Sequence, residues 1–389
     1  MLKPTRNKRR IAALAGALAL AACLALGLAG CAGNEGDGTG EAAAPATEQE
    51  ANADAQAAAE AENGTITFTD DLGRTVELPA QIDKICPSGF TAQQVLLTMA
   101  PDKMVGLAQE LNDDQLKIFG EKFADYPVFG AVLGAKDDLN REAVAAAAPQ
   151  VIIDTGEAKK GAKEDLDALQ EQLGIPVIFI ETKLSDYGAA YERLGELLSM
   201  EERGSELSTY CTDVYNKTVT TMENIPENER VRMAYLLGDN GLNAIAKTSF
   251  QAAVVDMVAD NVVVVDDVSG KGNGNEISLE QIALWNPDLI VFQTGSIYGT
   301  VGDDPAWAGI AAIDSGNYYQ VPNVPYCWLN NPPTVNQLMG LQWLPRLLYT
   351  DAFDDSIEDA TRAYYSTMYN YNLTDAELAD LIKDAVPKA

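Results

Sequence analysis

Along most of the chain, short runs of apolar, β-branched residues alternate with amphipathic stretches of helical period, the pattern of an α/β fold. Two segments repeat this pattern closely. Asn140-Arg141-Glu142-Ala143-Val144-Ala145 leads into Pro149-Gln150-Val151-Ile152-Ile153, and Ser278-Leu279-Glu280-Gln281-Ile282-Ala283 leads into Pro287-Asp288-Leu289-Ile290-Val291, with the same spacing in both. Each opens on a residue suited to cap a helix, stops at a proline and enters an apolar run of the kind that forms a buried parallel strand. A looser pair lies upstream of each. Phe90-Thr91-Ala92 with Val95 and Met99 matches Phe250-Gln251-Ala252 with Val255 and Val258. Each begins a helix after a short strand, Lys84 to Cys86 and Arg232 to Leu237, and a further apolar run follows, Met104 to Leu107 and Val262 to Val265. Two matches in the same order predict two Rossmann-like α/β lobes of similar build with mainly parallel sheets.

Between them, Tyr187, Tyr191, Leu194, Leu197, Leu198, Leu207, Tyr210 and Val214 recur at helical spacing, interrupted only by Gly195 and Gly204 and closed by Pro226. This predicts one long linking helix over residues 185–224. It separates an N-terminal lobe, 64–184, from a C-terminal lobe, 225–389, that ends in helices. A single linking helix is stiffer than crossing strands and predicts limited hinge motion.

Open parallel sheets bind ligands at the carboxyl ends of their strands, so a ligand cleft between the lobes is expected. The loops after the strands offer Ser88, Phe90 and Glu157 from one lobe and Asn240, Tyr298, Tyr326 and Trp328 from the other. The aromatic members suit a ligand with flat or apolar surface, although aromatic residues also pack lobe cores. Lys159, Lys160, Lys247 and Lys271 lie near the same loops and are the local sources of positive charge; lysine runs are also ordinary solvated faces. Gly270 to Gly274 lacks the Walker spacing and reads as a flexible cleft-rim loop.

The N-terminal stretch has a different pattern. Five bases, Lys3, Arg6, Lys8, Arg9 and Arg10, precede an apolar run from Ile11 to Gly30, the arrangement of an export signal. The run ends in Leu28-Ala29-Gly30-Cys31, which resembles a bacterial lipobox: the signal, residues 1–30, is cut before Cys31 and the thiol is acylated. An uncleaved membrane anchor is the other reading. Residues 31–63 are rich in Ala and Gly and carry eight acids and no base, which predicts a disordered acidic tether.

Charge and composition narrow the chemistry. The 389 residues include 58 acids against 27 bases, a formal net charge of −31, which argues against nucleic acid as a partner. The chain contains no histidine, which removes Ser-His-Asp and Cys-His catalysis and His-ligated zinc or haem. Haem would need a Tyr axial ligand. Beyond Cys23 and Cys31, the cysteines Cys86, Cys211 and Cys327 have no CxxC spacing and read as small buried hydrophobes, with room for at most one disulfide.

Further motifs complete a resemblance: Ile66-Thr67-Phe68-Thr69-Asp70-Asp71-Leu72-Gly73-Arg74-Thr75-Val76, then Val321-Pro322-Asn323, Tyr326 to Trp328, and Pro332-Pro333-Thr334-Val335-Asn336-Gln337-Leu338-Met339-Gly340-Leu341-Gln342-Trp343-Leu344. With the two Glu-bearing repeats, and behind a lipobox, they resemble the substrate-binding lipoproteins of ABC importers. The group is the class III periplasmic binding proteins, in which one long helix joins the lobes, and the likeness spans roughly Thr65 to Asp359. The resemblance implies a monomeric binding protein rather than an enzyme, without a cofactor, lipid-anchored on the outer face of the bacterial cytoplasmic membrane. It would capture an iron complex, a ferric siderophore or similar metal chelate, and deliver it to a permease driven by its ATPase. Cobalamin, haem and molybdate or tungstate are the alternative ligands. The resemblance also implies that Glu142 and Glu280, one per lobe, pair with arginines of the permease. The plainer reading of both is an acid favoured by a helix dipole in a first turn. The competing class is a surface-anchored hydrolase with paired carboxylates, which would need two acids converging in one cleft.

Overall fold

The computed structural model describes residues 64–132 and 139–387. The stretches expected to be a signal (1–30), a lipidated cysteine (Cys31) and a tether (31–63) lie outside the described residues.

A hairpin, β1 (Thr65–Thr69) and β2 (Thr75–Pro79), precedes the first lobe and pairs antiparallel with Phe68 opposite Val76. Its turn explains the Asp-Asp-Leu-Gly-Arg motif. Asp70 Oδ1 accepts from Leu72 N and Arg74 N, while Oδ2 faces Arg74 Nη1 at 3.2 Å and accepts from Phe179 N. Both Asp70 and Arg74 are buried, and Arg74 Nε reaches on to Asp167 at 2.8 Å. The pair therefore fastens the hairpin to the first lobe.

That lobe is a parallel sheet in the order β3 (Ile85–Pro87), β4 (Val151–Gly156), β5 (Val177–Glu181). Helix α1 (Phe90–Met99) follows β3, and α2 (Asp113–Phe119) follows that. The repeat helix α3 (Arg141–Ala147) leads into β4, and α4 (Ala162–Leu173) leads into β5. The second sheet runs β11 (Tyr318–Gln320), β10 (Leu289–Phe292), β6 (Arg232–Leu237), β7 (Asn243–Ala244), β9 (Asn275–Glu276), with β8 (Asp260–Asn261) also on β6. β8, β6, β10 and β11 are parallel, and β7 and β9 are antiparallel additions. Around it lie α7 (Ala253–Val258), the repeat helix α8 (Leu279–Trp285) and α9 (Ala311–Asp314). The central strands β4, apolar from Val151 to Ile153, and β10 are covered on both faces, as parallel strands require.

Both repeat units form as their residues dictate. Asn140 Oδ1 accepts from Ala143 N and Ser278 Oγ from Gln281 N, so each caps a seven-residue helix. Each helix then ends in a left-handed residue, Ala148 or Asn286, directly before its proline.

The stretch read as one helix over 185–224 is two. Helix α5 (Tyr187–Leu198) ends at Ser199, with φ +51°, and α6 (Glu201–Glu223) turns back against it. Gly195 and Gly204 are the contact point of this hairpin rather than interruptions of a helix. A Cβ on Gly204 would lie 2.8 Å from Gly195 Cα and 2.8 Å from Tyr191 O. The 23-residue α6, roughly 35 Å long, is the helix that joins the lobes.

The C-terminal helices α10 (Gln337–Leu348), α11 (Ile357–Tyr369) and α12 (Asp375–Ile382) do more than close the second lobe. The inner faces of both sheets, α6, α10 and α11 share one core, from Ile85 and Val95 through Leu207 and Tyr235 to Trp328 and Tyr364. Only the outer faces keep separate cores, around Ile152 and Phe179 in one lobe and Ile290 and Trp307 in the other.

Candidate functional site

In the first lobe, the ends of β3 and β4 carry Ser88, Phe90 and Glu157. Ser88 is buried, 1% exposed: its N donates to Ile153 O and its Oγ donates to Asp154 Oδ1. It thus positions a neighbour instead of facing a cleft, because its side chain leaves the strand end toward β4. Asp154 is 4% exposed, and burial pushes its carboxyl up to about 6 against the Ser88 hydrogen bond. Beside it, Thr91 Oγ1 donates to Thr155 O, tying the first turn of α1 to β4. Phe90, the first residue of α1, is 41% exposed. Glu157 is exposed just past β4, with Lys159 and Lys160 beyond it.

The second lobe treats its four candidates differently. Asn240 is exposed, but its Oδ1 accepts from Leu242 N within the tight turn between β6 and β7. Tyr298 is half-buried, stacks edge-on against Tyr318 at 5.7 Å and donates from its hydroxyl to Asp384 Oδ1 at 3.2 Å. Burial and the Asp384 charge push its phenol up to about 12. Tyr326 is buried against Phe119 of α2, with ring centroids 6.1 Å apart. Trp328 is 1% exposed and packs on Trp343 of α10 at 6.0 Å. Tyr326 and Trp328 are therefore core side chains: the shared interlobe core absorbs the aromatic surface that the loop position had suggested was free.

Of the lysines, Lys247 pairs with Asp260 at 3.2 Å, whereas Lys271 is exposed on the Gly270–Gly274 loop. That loop is a hydrogen-bonded turn. Ser269 N donates to Asn275 Oδ1, Lys271 N to Ser269 Oγ, and Gly274 N to Lys271 O.

What joins the two sets of loops is a row of buried polar side chains that sequence reasoning passed over. Thr334 Oγ1 is in hydrogen-bond contact with the Gln94 amide of α1 and donates to Asn336 Oδ1 at 2.8 Å. Asn336 Nδ2 donates to Asn330 O, and Asn330 Nδ2 to Gln251 Oε1 at 2.9 Å. Asn330 Oδ1 accepts from Tyr235 OH, and Gln251 Nε2 donates to Lys271 O. Every side chain in this row is buried. It explains Thr334 and Asn336 of the Pro332–Leu344 motif: these two residues link the ends of the two lobes. The row also brings into view Phe250, which precedes Gln251 and is 54% exposed. Its one sequence signal was the match between Phe250-Gln251-Ala252 and Phe90-Thr91-Ala92.

Glu142 and Glu280 occupy the same step of the two repeats, the second residue of α3 and of α8, and both are exposed. The Glu280 carboxyl is held below the usual carboxylate range by hydrogen bonds from its own backbone and from Ser278. Cys86, Cys211 and Cys327 are buried free thiols. No described helix is long and apolar enough to cross a membrane.

Two parallel-sheet lobes joined by one long helix define a two-lobed binding protein. The sequence model of the periplasmic binding protein family matches residues 96–325, and the chain belongs to that family. Proteins of this kind bind small-molecule solutes outside the cytoplasm and work with ABC permeases. Among solved structures, the chain is similar to an ABC transporter solute-binding protein from Sulfurospirillum deleyianum, with 26% identity and a TM-score of 0.74 over 82% of this chain and 99% of that one. It is also similar to a periplasmic solute-binding protein from Veillonella parvula (22%, TM-score 0.67, 82% and 98% covered). A third is the molybdate-bound molybdate-binding protein of a Haemophilus influenzae ABC transporter (19%, 0.62, 79% and 99%). A search of curated proteins found no match.

Proposed function

We propose that the chain is the lipid-anchored solute-binding component of an ABC importer, holding an iron complex or similar metal chelate between its lobes. Acylated Cys31 anchors it on the outer face of the cytoplasmic membrane, residues 32–63 tether it, and it acts as a monomer. The observation that carries the reading is the pair Glu142 and Glu280: exposed carboxylates at the same step of two repeated units, one per lobe. Two such charges match a permease with two-fold symmetry and fix the orientation of docking.

Glu142→Arg combined with Glu280→Arg abolishes uptake in cells while ligand affinity in solution stays unchanged. Loss of affinity in that double variant would place the carboxylates in the pocket and refute docking. Cys31→Ala moves the chain from the membrane fraction to the soluble one; retention on the membrane would favour an uncleaved anchor. The visible spectrum of protein purified from its host separates the cargo classes, since ferric chelates, haem and cobalamin absorb and oxyanions do not.

A further inference from the structure

Where α2 of the first lobe meets α11 and α12, the packing leaves a pocket of about 480 Å³, partly open to solvent. Ile118, Leu373, Leu381 and the rings of Tyr365 and Tyr371 line it, and Asp114, Lys117, Glu377 and Asp380 supply its charged groups. None of the strand-end residues Ser88, Phe90, Glu157, Asn240 and Tyr298 takes part.

The lining is held in place by its own hydrogen bonds. Tyr365 OH donates to Val324 O, Tyr371 N to Tyr365 O, and Tyr371 OH to Glu377 Oε1 at 2.7 Å. Glu377 also accepts from Thr374 N and Oγ1 in the capping box of α12, which fixes its carboxylate at the first turn. Tyr369 packs edge-on against both Tyr365 and Phe119, at 5.3 Å each, and so ties the α11 side to α2. A pocket with walls fixed in this way costs little to fill.

The charges are unbalanced. Lys117 is the one base among them and is spent on Glu377, at 2.5 Å. Asp114 and Asp380 are therefore in surplus; the lysine that meets Asp380, Lys383, is exposed and lies outside the pocket. Carboxylates and tyrosine rings both attract a cation, the aliphatic side chains attract hydrocarbon, and an anion is repelled. The formal net charge of −31 biases the whole molecule the same way. We propose that this pocket is a second binding site, apart from the strand-end cleft, for a small organic ammonium ion. Its apolar body packs on Leu373, Leu381 and the two tyrosines, and its cationic head faces the surplus acids. Because α2 and α12 belong to different lobes, the occupant is held by both.

The test measures the affinity of the full chain by calorimetry at pH 7 for three probes of similar size and different charge: benzylammonium, benzyl alcohol and benzoate. Benzylammonium binds at least about fivefold more tightly than benzyl alcohol, and benzoate binds weakest. Asp114→Asn and Asp380→Asn each weaken benzylammonium about threefold and leave benzyl alcohol unchanged. Lys117→Ala has the opposite sign: it frees the Glu377 charge and strengthens benzylammonium about threefold. All three positions are exposed, so circular dichroism confirms that the variants keep the parent fold. Absence of benzylammonium binding, equal affinity for the three probes, or a benzylammonium affinity that no substitution changes overturns the site. None of these outcomes touches the solute-binding reading, which rests on other residues.

Discussion

Asp154 is a carboxylate whose surroundings move its titration toward neutral pH. Its carboxyl is pushed up to about 6 from an ordinary 3.8, chiefly by burial. Between these values the folded chain keeps a proton that the unfolded chain has lost, so stability falls as pH rises through that window and is lowest above it. An asparagine side chain at this position cannot ionise and can still accept from Ser88. Asp154→Asn therefore gains stability over the parent between about pH 4 and pH 7, on the order of 3 kcal/mol by the end of the window. Denaturant midpoints at the two pH values check this; a constant gap would refute it. Asp70 is a buried carboxylate with a buried guanidinium for partner. Asp70→Ala leaves the buried Arg74 with Asp167 as its remaining carboxylate and costs about 1.5–3 kcal/mol, measured by urea denaturation. Asp70 and Arg74 stood in a motif legible in the sequence, and their neighbour in role, Ser88, was legible as a strand-end residue. That Ser88 turns to Asp154 was not legible, since it depends on which way a side chain leaves the strand.

At the scale of elements, the helical hairpin α5–α6 carries the clearest lesson. Apolar spacing was the same on both sides of Ser199, so periodicity alone ran through the break. The helices cross where Gly204 has no side chain, and a methyl there meets backbone on two sides. Gly204→Ala gains helix propensity, about 1 kcal/mol in an open helix, yet the contact dominates and the variant loses about 1–3 kcal/mol. A thermal midpoint below the parent confirms the sign. The repeat helices α3 and α8 show the reverse situation. Cap, helix, left-handed residue and proline are all local features, so both were readable residue by residue.

Across the whole molecule, the lobes are held by more than α6. Gln115 Nε2 of α2 donates to Pro325 O, and Lys117 meets Glu377 of α12 at 2.5 Å. Phe119 stacks edge-on against Tyr369 at 5.3 Å, and Arg203 donates to Thr98 O of α1 and Met368 O of α11. These contacts extend the stiffness expected of a single linking helix, and scattering in solution gives the same radius of gyration with and without bound ligand. The Lys117–Glu377 pair, whose lysine is exposed, is the dispensable member: Lys117→Ala changes stability by less than about 1 kcal/mol in chemical denaturation. The sequence by itself determined the α/β class, the two repeated units and the positions of Glu142 and Glu280, because each depends on residues within a few positions of one another. Only the tertiary structure decided that Tyr326 and Trp328 are core, that Phe250 is exposed opposite Phe90's lobe, and that Gln94, Thr334, Asn336, Asn330 and Gln251 form one row. Burial and side-chain pairing across distant segments depend on how the lobes pack, and no local spacing encodes that packing.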